Sequence, residues 1–210
     1  MKKITAKDIA IDAIFVGIIA VMTFVPMVGM IAINSVVSFT LLHLPVVLGA
    51  YLFGWRKGLV LGVAMGVCSM LKAIIAPTGA LDPLFVWPWI SVLPRALFGY
   101  LSGLFFDLLH KNSKLYGNPL IVGLLSFAFT VMHTVFVFGT LFIFFPGIAS
   151  GIFVGSGEIL EGVVVGAVVI ISIGMLGEAI LAGIITPIVG KATMFVAKRF
   201  RSGDREEEKE

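Results

Sequence analysis

No Asp, Glu, Lys or Arg interrupts the run from Pro119 to Pro146, and Glu178 is the lone formal charge between Gly162 and Gly190. Stretches of this kind leave a chain few options. About 20 consecutive apolar residues suffice to cross the hydrocarbon core of a bilayer. Inside that core every backbone polar group must be satisfied within the protein, which favours the helix. Both runs exceed a perpendicular crossing, so each is expected to tilt or to include a re-entrant segment. Four shorter apolar stretches precede them, at Ile9–Val25, Ser35–Gly54, Gly58–Ala76 and Val92–Leu109. The composition agrees: 59% of residues are hydrophobic and 13% charged, with a mean hydropathy of +1.11, where a soluble domain carries about 25% charge. Six crossings consume roughly 120 residues, which leaves no room for a separate soluble catalytic domain. The expected fold is therefore an all-α integral membrane protein of six transmembrane helices. Residues 1–200 would form the membrane domain and residues 201–210 a charged, disordered cytoplasmic tail.

The basic residues set the orientation. Apart from Lys72 and Arg95, every Lys and Arg falls in alternate connections: Lys2, Lys3 and Lys7 before the first span, Arg56 and Lys57 between the second and third, Lys111 and Lys114 between the fourth and fifth, and Lys191, Lys198, Arg199, Arg201, Arg205 and Lys209 after the sixth. The remaining connections, near residues 26–34, 77–91 and 147–161, contain none. This is the positive-inside pattern, and it places both termini in the cytoplasm. A seventh crossing within 147–170 would put the basic C-terminal segment outside, so it is rejected. The net charge of +3 belongs to these flanks and does not point to nucleic acid. The amino-terminal run is read as a retained helix and not a cleaved signal, because no small-residue cleavage site follows it. Cys68, the single cysteine, lies in an apolar run, and no Cys/His spacing suits a metal. No strong internal repeat is visible, which argues against an inverted-repeat secondary transporter.

Ionisable groups inside spans are the best pointers to function, since an uncompensated charge at mid-helix costs about 2.5–3.5 kcal/mol on insertion scales. The orientation places Lys72 in the outer half of the third span and Arg95 near the outer end of the fourth, with His133 and Glu178 deeper. Packed together, the four would line a polar pocket open to the outside. The structural alternatives are snorkelling of the two bases to headgroups, pairing with Asp82 or Glu178, and plain packing for His133. The outer connection from Pro77 to Arg95 holds Phe85, Trp87 and Trp89 around Pro88. In extended chain, residues two apart point the same way, so the two indoles would face together. They serve either as an interfacial aromatic belt or as a lid over a ligand. Asn34 and His43 offer neutral hydrogen bonds, or cap and pack the second span. Small residues recur four apart at Ala13 and Gly17, at Gly58, Gly62 and Gly66, and at Gly99 and Gly103. Such faces let helix backbones approach closely. For the third and fourth spans internal packing is expected; for the first, contact with a partner is equally plausible.

These features together resemble the substrate-binding (S) components of the energy-coupling factor vitamin transporters. The segment from Ala13 to Gly17 is similar to the small-residue face by which S components dock on a shared transmembrane coupling subunit. His43-Leu-Pro-Val-Val-Leu-Gly-Ala50 followed by Gly54-Trp-Arg-Lys-Gly58 resembles the family's second span and its glycine-flanked cytoplasmic turn. Ser91-Val-Leu-Pro-Arg95-Ala-Leu-Phe-Gly99 resembles the start of its fourth span, and with the preceding loop looks most like the pantothenate-specific members. Those members often carry Asn-Pro where this chain has Trp87-Pro88. Folate, riboflavin and cobalamin members share the general pattern and stay in play. The later-span tryptophan expected of thiamine-specific members is absent.

The resemblance implies a multi-pass subunit of a prokaryotic cell membrane. It would bind a small water-soluble vitamin on the outer side and topple within the lipid on the coupling subunit. The implied site comprises Arg95, Lys72, Trp87, Trp89, Ser91, His133, Glu178 and Asn34, with Ala13 and Gly17 facing the partner. Two partner subunits would hydrolyse ATP, and no cofactor is expected in this chain, which has no G-x-x-x-x-G-K-[ST] loop. An Arg95 guanidinium suits a carboxylate through paired hydrogen bonds. Three rivals remain. A proton-driven autonomous transporter would use Glu178 or Asp12. An intramembrane enzyme would need a nucleophile and base, or a metal cluster, near an interface, and the scattered acids and histidines supply none. A purely structural membrane partner would tolerate loss of Arg95.

Overall fold

The computed structural model describes residues 6–25, 28–32, 38–77, 82–146 and 174–195. In chain order these form α1 (Ala6–Phe24), a short antiparallel ribbon of β1 (Met30–Ala32) and β2 (Ser38–Thr40), α2 (His43–Phe53) and α3 (Trp55–Ile75). A 3-10 turn (Asp82–Val86), α4 (Pro88–Ser91), α5 (Leu93–His110), α6 (Ser113–Tyr116) and α7 (Pro119–Phe144) follow, and α8 (Gly174–Phe195) closes the described chain. Among the described residues, four helical segments are long and apolar enough to cross a membrane: α3, the α4–α5 unit from Pro88 to His110, α7 and α8. The first helix has the length, but Lys7, Asp8 and Asp12 crowd its early turns. Residues 162–173, assigned by hydropathy to the last span, and the tail 201–210 lie outside the described residues.

The second span departs from expectation. Hydropathy begins it at Ser35, whereas the helix begins at His43 and Ser38–Thr40 lies in a strand. Proline accounts for the late start. Pro45 sits in the first turn, where its missing N–H costs nothing, but its ring would clash with the carbonyl four residues earlier if the helix extended back through Leu41. At 1.5 Å per residue, the eleven residues of α2 reach only about 16 Å, against a hydrocarbon core of about 30 Å. The ribbon pairs Met30 with Thr40, Ile31 with Phe39 and Ala32 with Ser38, and Leu41 N–H donates to the Gly29 carbonyl at 2.8 Å.

Between α2 and α3 the chain turns on one residue. Gly54 takes φ 82° and ψ −168°, a left-handed conformation that glycine accepts without strain. A Cβ there would overlap the Asp107 carboxylate. Asp107, reaching in from α5, accepts the Trp55 N–H at 3.0 Å and so satisfies one of the free donors at the start of α3. At the same end of the bundle Lys57 donates to Asp12 Oδ2 at 2.7 Å and to the Asp8 carbonyl at 2.8 Å, fastening α1 to α3. Asp12 is therefore an ion-pair partner. Tyr51 and Tyr116 each donate to the other's carbonyl, at 3.2 and 2.9 Å. Burial first, then the neighbouring Tyr51 and Asp107, push the Tyr116 phenol upward, so it remains a donor.

The tightest helix contact is α3 against α5. A Cβ on Gly58 would strike the Gly99 backbone, one on Gly62 the Arg95 carbonyl, one on Gly66 the Val92 and Ser91 backbones, and one on Gly103 the Trp55 backbone. These glycines therefore serve internal packing, as expected for the third and fourth spans. Ala13 and Gly17 behave differently: both are exposed, and a Cβ on Gly17 would meet nothing within 4 Å. Gly99→Leu should accordingly destabilise the fold by about 1–3 kcal/mol, the usual cost of overpacking. It should lower the thermal midpoint of the detergent-purified chain. Gly17→Leu should leave that midpoint in place. Equal midpoints for both variants would contradict this packing.

Candidate functional site

Arg95 owes its position to a helix break. The α4 helix ends at Ser91, Pro94 occupies the first turn of α5, and the junction leaves backbone carbonyls without helical partners. Arg95 Nη1 donates to two of them, Ser91 at 2.7 Å and Ile90 at 3.4 Å. The guanidinium carbon lies 5.2 Å from the centre of the Phe85 ring, within cation–π range. The side chain is buried, at 7% exposure, its Nε makes no hydrogen bond, and among the described residues no carboxylate forms an ion pair with it. Ser91 is also buried. Its hydroxyl is committed to the Gly66 carbonyl of α3 at 3.1 Å, so its contribution is to hold the α4–α5 junction against α3 and aim the carbonyl that Arg95 uses.

A chain of polar side chains from three further helices leads away from Arg95, beginning with His133. His133 of α7 is buried, with Phe98 of α5 against its ring at 4.9 Å, and Arg95 and His43 lie within electrostatic reach of it. His43, the first residue of α2, is fully buried, and its ring lies 6.1 Å from that of His133, inclined by only 26°. None of the four nitrogens of these two rings makes a well-formed hydrogen bond among the described residues, although the Thr40 and Glu178 backbones lie close to the His43 ring. Glu178 of α8 lies beside His43. Its Oε1 accepts both the backbone N–H and, at 3.0 Å, the hydroxyl of Thr40.

Thr40 ends the ribbon where the chain has not yet become helical. Non-helical backbone at membrane depth is tolerated only where the protein satisfies it or where it lines a cavity, and Glu178 provides that satisfaction from the far end of the sequence. The short second helix thus explains the acid on the last one.

Of the residues expected from the sequence, Arg95 and His133 lie within reach of each other, and Glu178 is linked to them through His43. His43 joins them as a central member, although from the sequence it read equally as a packing residue. Lys72 is half-buried in the last turn of α3, at the end where the Asp82–Val86 turn crosses that helix. Trp87 and Trp89 stack at 4.9 Å with 24° between their planes, and Trp89 leans on Phe144 at 6.1 Å. The expected pairing of the indoles is present, with a different cause: Trp87 is the extended residue capping α4 and Trp89 lies inside that helix. Both rings are exposed. Asn34 lies outside the described residues.

The arrangement is a buried cation and two open imidazoles, set among membrane-length helices. Residues 7–195 match the family described as ECF transporter, substrate-specific component. The chain belongs to this family. As a substrate-specific component it is a transport protein of the cell membrane, crossing it more than once. Among relatives, it is 38% identical to the pantothenic acid transporter PanT of Lactococcus lactis subsp. cremoris, over 69% of this chain and 77% of that one. It is 26% identical to the pantothenate transporter PanT of Leuconostoc mesenteroides subsp. mesenteroides, over 61% of this chain and 65% of that one.

The Glu178–Thr40 contact yields a direct test of the substrate-specific component. Glu178→Ala removes the acceptor of two hydrogen bonds and should cost about 1–3 kcal/mol, read as a lower thermal midpoint and faster exchange of the Thr40 amide. Glu178→Gln keeps an oxygen in place and should recover most of the loss. A Gln variant as damaged as the Ala variant would mean that the charge, and not the acceptor, is what matters.

Proposed function

We propose that this chain is the high-affinity pantothenate-binding subunit of an ATP-driven ECF importer in a prokaryotic cell membrane. The observation that carries the reading is Arg95: buried, without a carboxylate partner among the described residues, and with an Nε–H that makes no hydrogen bond there. A buried charge is strongly unfavourable unless paired, and a planar guanidinium fork is matched by a carboxylate. Pantothenate has a single carboxylate at one end, and the relatives' names add support for it. Lys72, Trp87 and Trp89 complete the site at its outer side in this reading, with Asn34 assigned to it from the sequence and Glu178 and Ser91 bracing it.

The importer's other parts follow from the family. A transmembrane coupling subunit would dock on the exposed Ala13–Gly17 face of α1, and two ATPase subunits would supply energy. The chain would cross the membrane six times, with both termini in the cytoplasm. Single cysteines introduced into a Cys68→Ala background test this topology with a membrane-impermeant maleimide on intact cells. A cysteine at Trp87 should be labelled, and one at Lys111 should be labelled only after lysis. Labelling of both on intact cells would overturn the topology.

Calorimetric titration of the detergent-purified chain with pantothenate, folate, riboflavin and cobalamin tests the substrate. Pantothenate alone should bind tightly. Arg95→Ala should weaken it by about 2–5 kcal/mol, the cost of truncating one partner of a buried charge pair. Arg95→Lys should recover only part, because an ammonium does not reproduce the fork. A folded sample that binds none of the four would remove the vitamin reading and favour the proton-driven or structural alternatives.

A further inference from the structure

We infer that His43 and His133 form the subsite that reads the neutral, hydroxyl-bearing part of the ligand, while Arg95 takes its anionic end. The inference rests on the reading of the chain as a pantothenate-binding subunit and adds residues and a division of labour to it. Two buried rings from α2 and α7, nearly parallel and 6.1 Å apart, present four nitrogens that make no well-formed hydrogen bond among the described residues, those of His133 with no competing backbone group and those of His43 with the Thr40 and Glu178 backbones nearby. Buried polar atoms in proteins are nearly always hydrogen-bonded, so four open ones on facing helices mark a place where a polar ligand group belongs.

The donor inventory says which group. An arginine carries five donors and no acceptor, and therefore matches a carboxylate, which only accepts. A neutral imidazole carries one donor and one acceptor. Two such rings together match groups that both donate and accept, namely hydroxyls or an amide. A carboxylate would leave half of their capacity unused. Packing limits the alternatives further. Phe98 lies against the His133 ring, and Glu178 is engaged with Thr40 beside His43. Both rings are buried away from solvent. The subsite thus selects an anion whose far end carries hydroxyl or amide groups.

A cycle on both protein and ligand tests this. The probes are pantothenate, an analogue with both hydroxyls replaced by hydrogen, and the alcohol in which CH2OH replaces the carboxylate. The proteins are the intact chain, His43→Phe and His133→Phe. The intact chain should bind the hydroxyl-free analogue at least about tenfold more weakly than pantothenate, because open polar atoms then stay unpaired. Each Phe variant should lose a similar factor for pantothenate yet bind the hydroxyl-free analogue about as the intact chain does. Phe variants that bind pantothenate as the intact chain does, or penalties that multiply in full, would overturn the assignment.

The alcohol probes Arg95 separately. If the intact chain binds no pantothenate, the substrate reading fails before the subsite does. If it binds pantothenate but shows no preference over the hydroxyl-free analogue, the subsite alone fails. Should the Phe variants not fold, imidazole nitrogen shifts in the isotope-labelled intact chain decide the matter. Those of His43 and His133 should move with pantothenate and not with the hydroxyl-free analogue, and unmoved shifts would refute the inference.

Discussion

The close approach of α3 and α5 is the constraint on which the rest of the site depends. Five glycines across this contact bring one helix's backbone onto the other's, and lipid supplies no hydrophobic drive to hold two apolar helices together. Contact at van der Waals distance along two full helices replaces it. Because the Gly62 position packs on the Arg95 carbonyl, and Gly66 on the Ser91 and Val92 backbones, the helix break that presents Arg95 is fixed directly by α3. The guanidinium is aimed by backbone geometry, with Ser91 tying the junction to Gly66.

The second organising element is the shortness of α2. A helix that stops halfway leaves strand-like backbone to be satisfied, and the acid that does so comes from the last described helix. That exchange places His43 at the N-terminal tip of a half-length helix, where its ring stacks on that of His133. The tightly packed α3–α5 pair carries the charge, while α2 and α7 carry the two imidazoles.

Much of this was legible in the sequence, for reasons that can be named. The glycine spacing on α3 and α5 survives translation into structure because helical periodicity is local. Arg95 stood out because a base inside an apolar run is costly and therefore purposeful. Hydropathy starts α2 too early because an uncharged stretch such as Ser38–Thr40 reads the same in strand and helix; Pro45 carries the missing signal. His43 and Glu178 were harder. Thr40 and Glu178 are 138 positions apart, and no local pattern links an acid on one helix to an unfinished turn on another. Asp12 likewise read as a lone acid in a span, until Lys57 met it from α3.

The single-residue turn at Gly54 has a mechanical meaning. With Asp107 filling the space a side chain would need and holding the first amide of α3, the joint between α2 and α3 has no slack. A shift of α5 against α3 would be carried through that joint and along α2 as along a stiff lever. It would emerge at the opposite tip, where His43 sits.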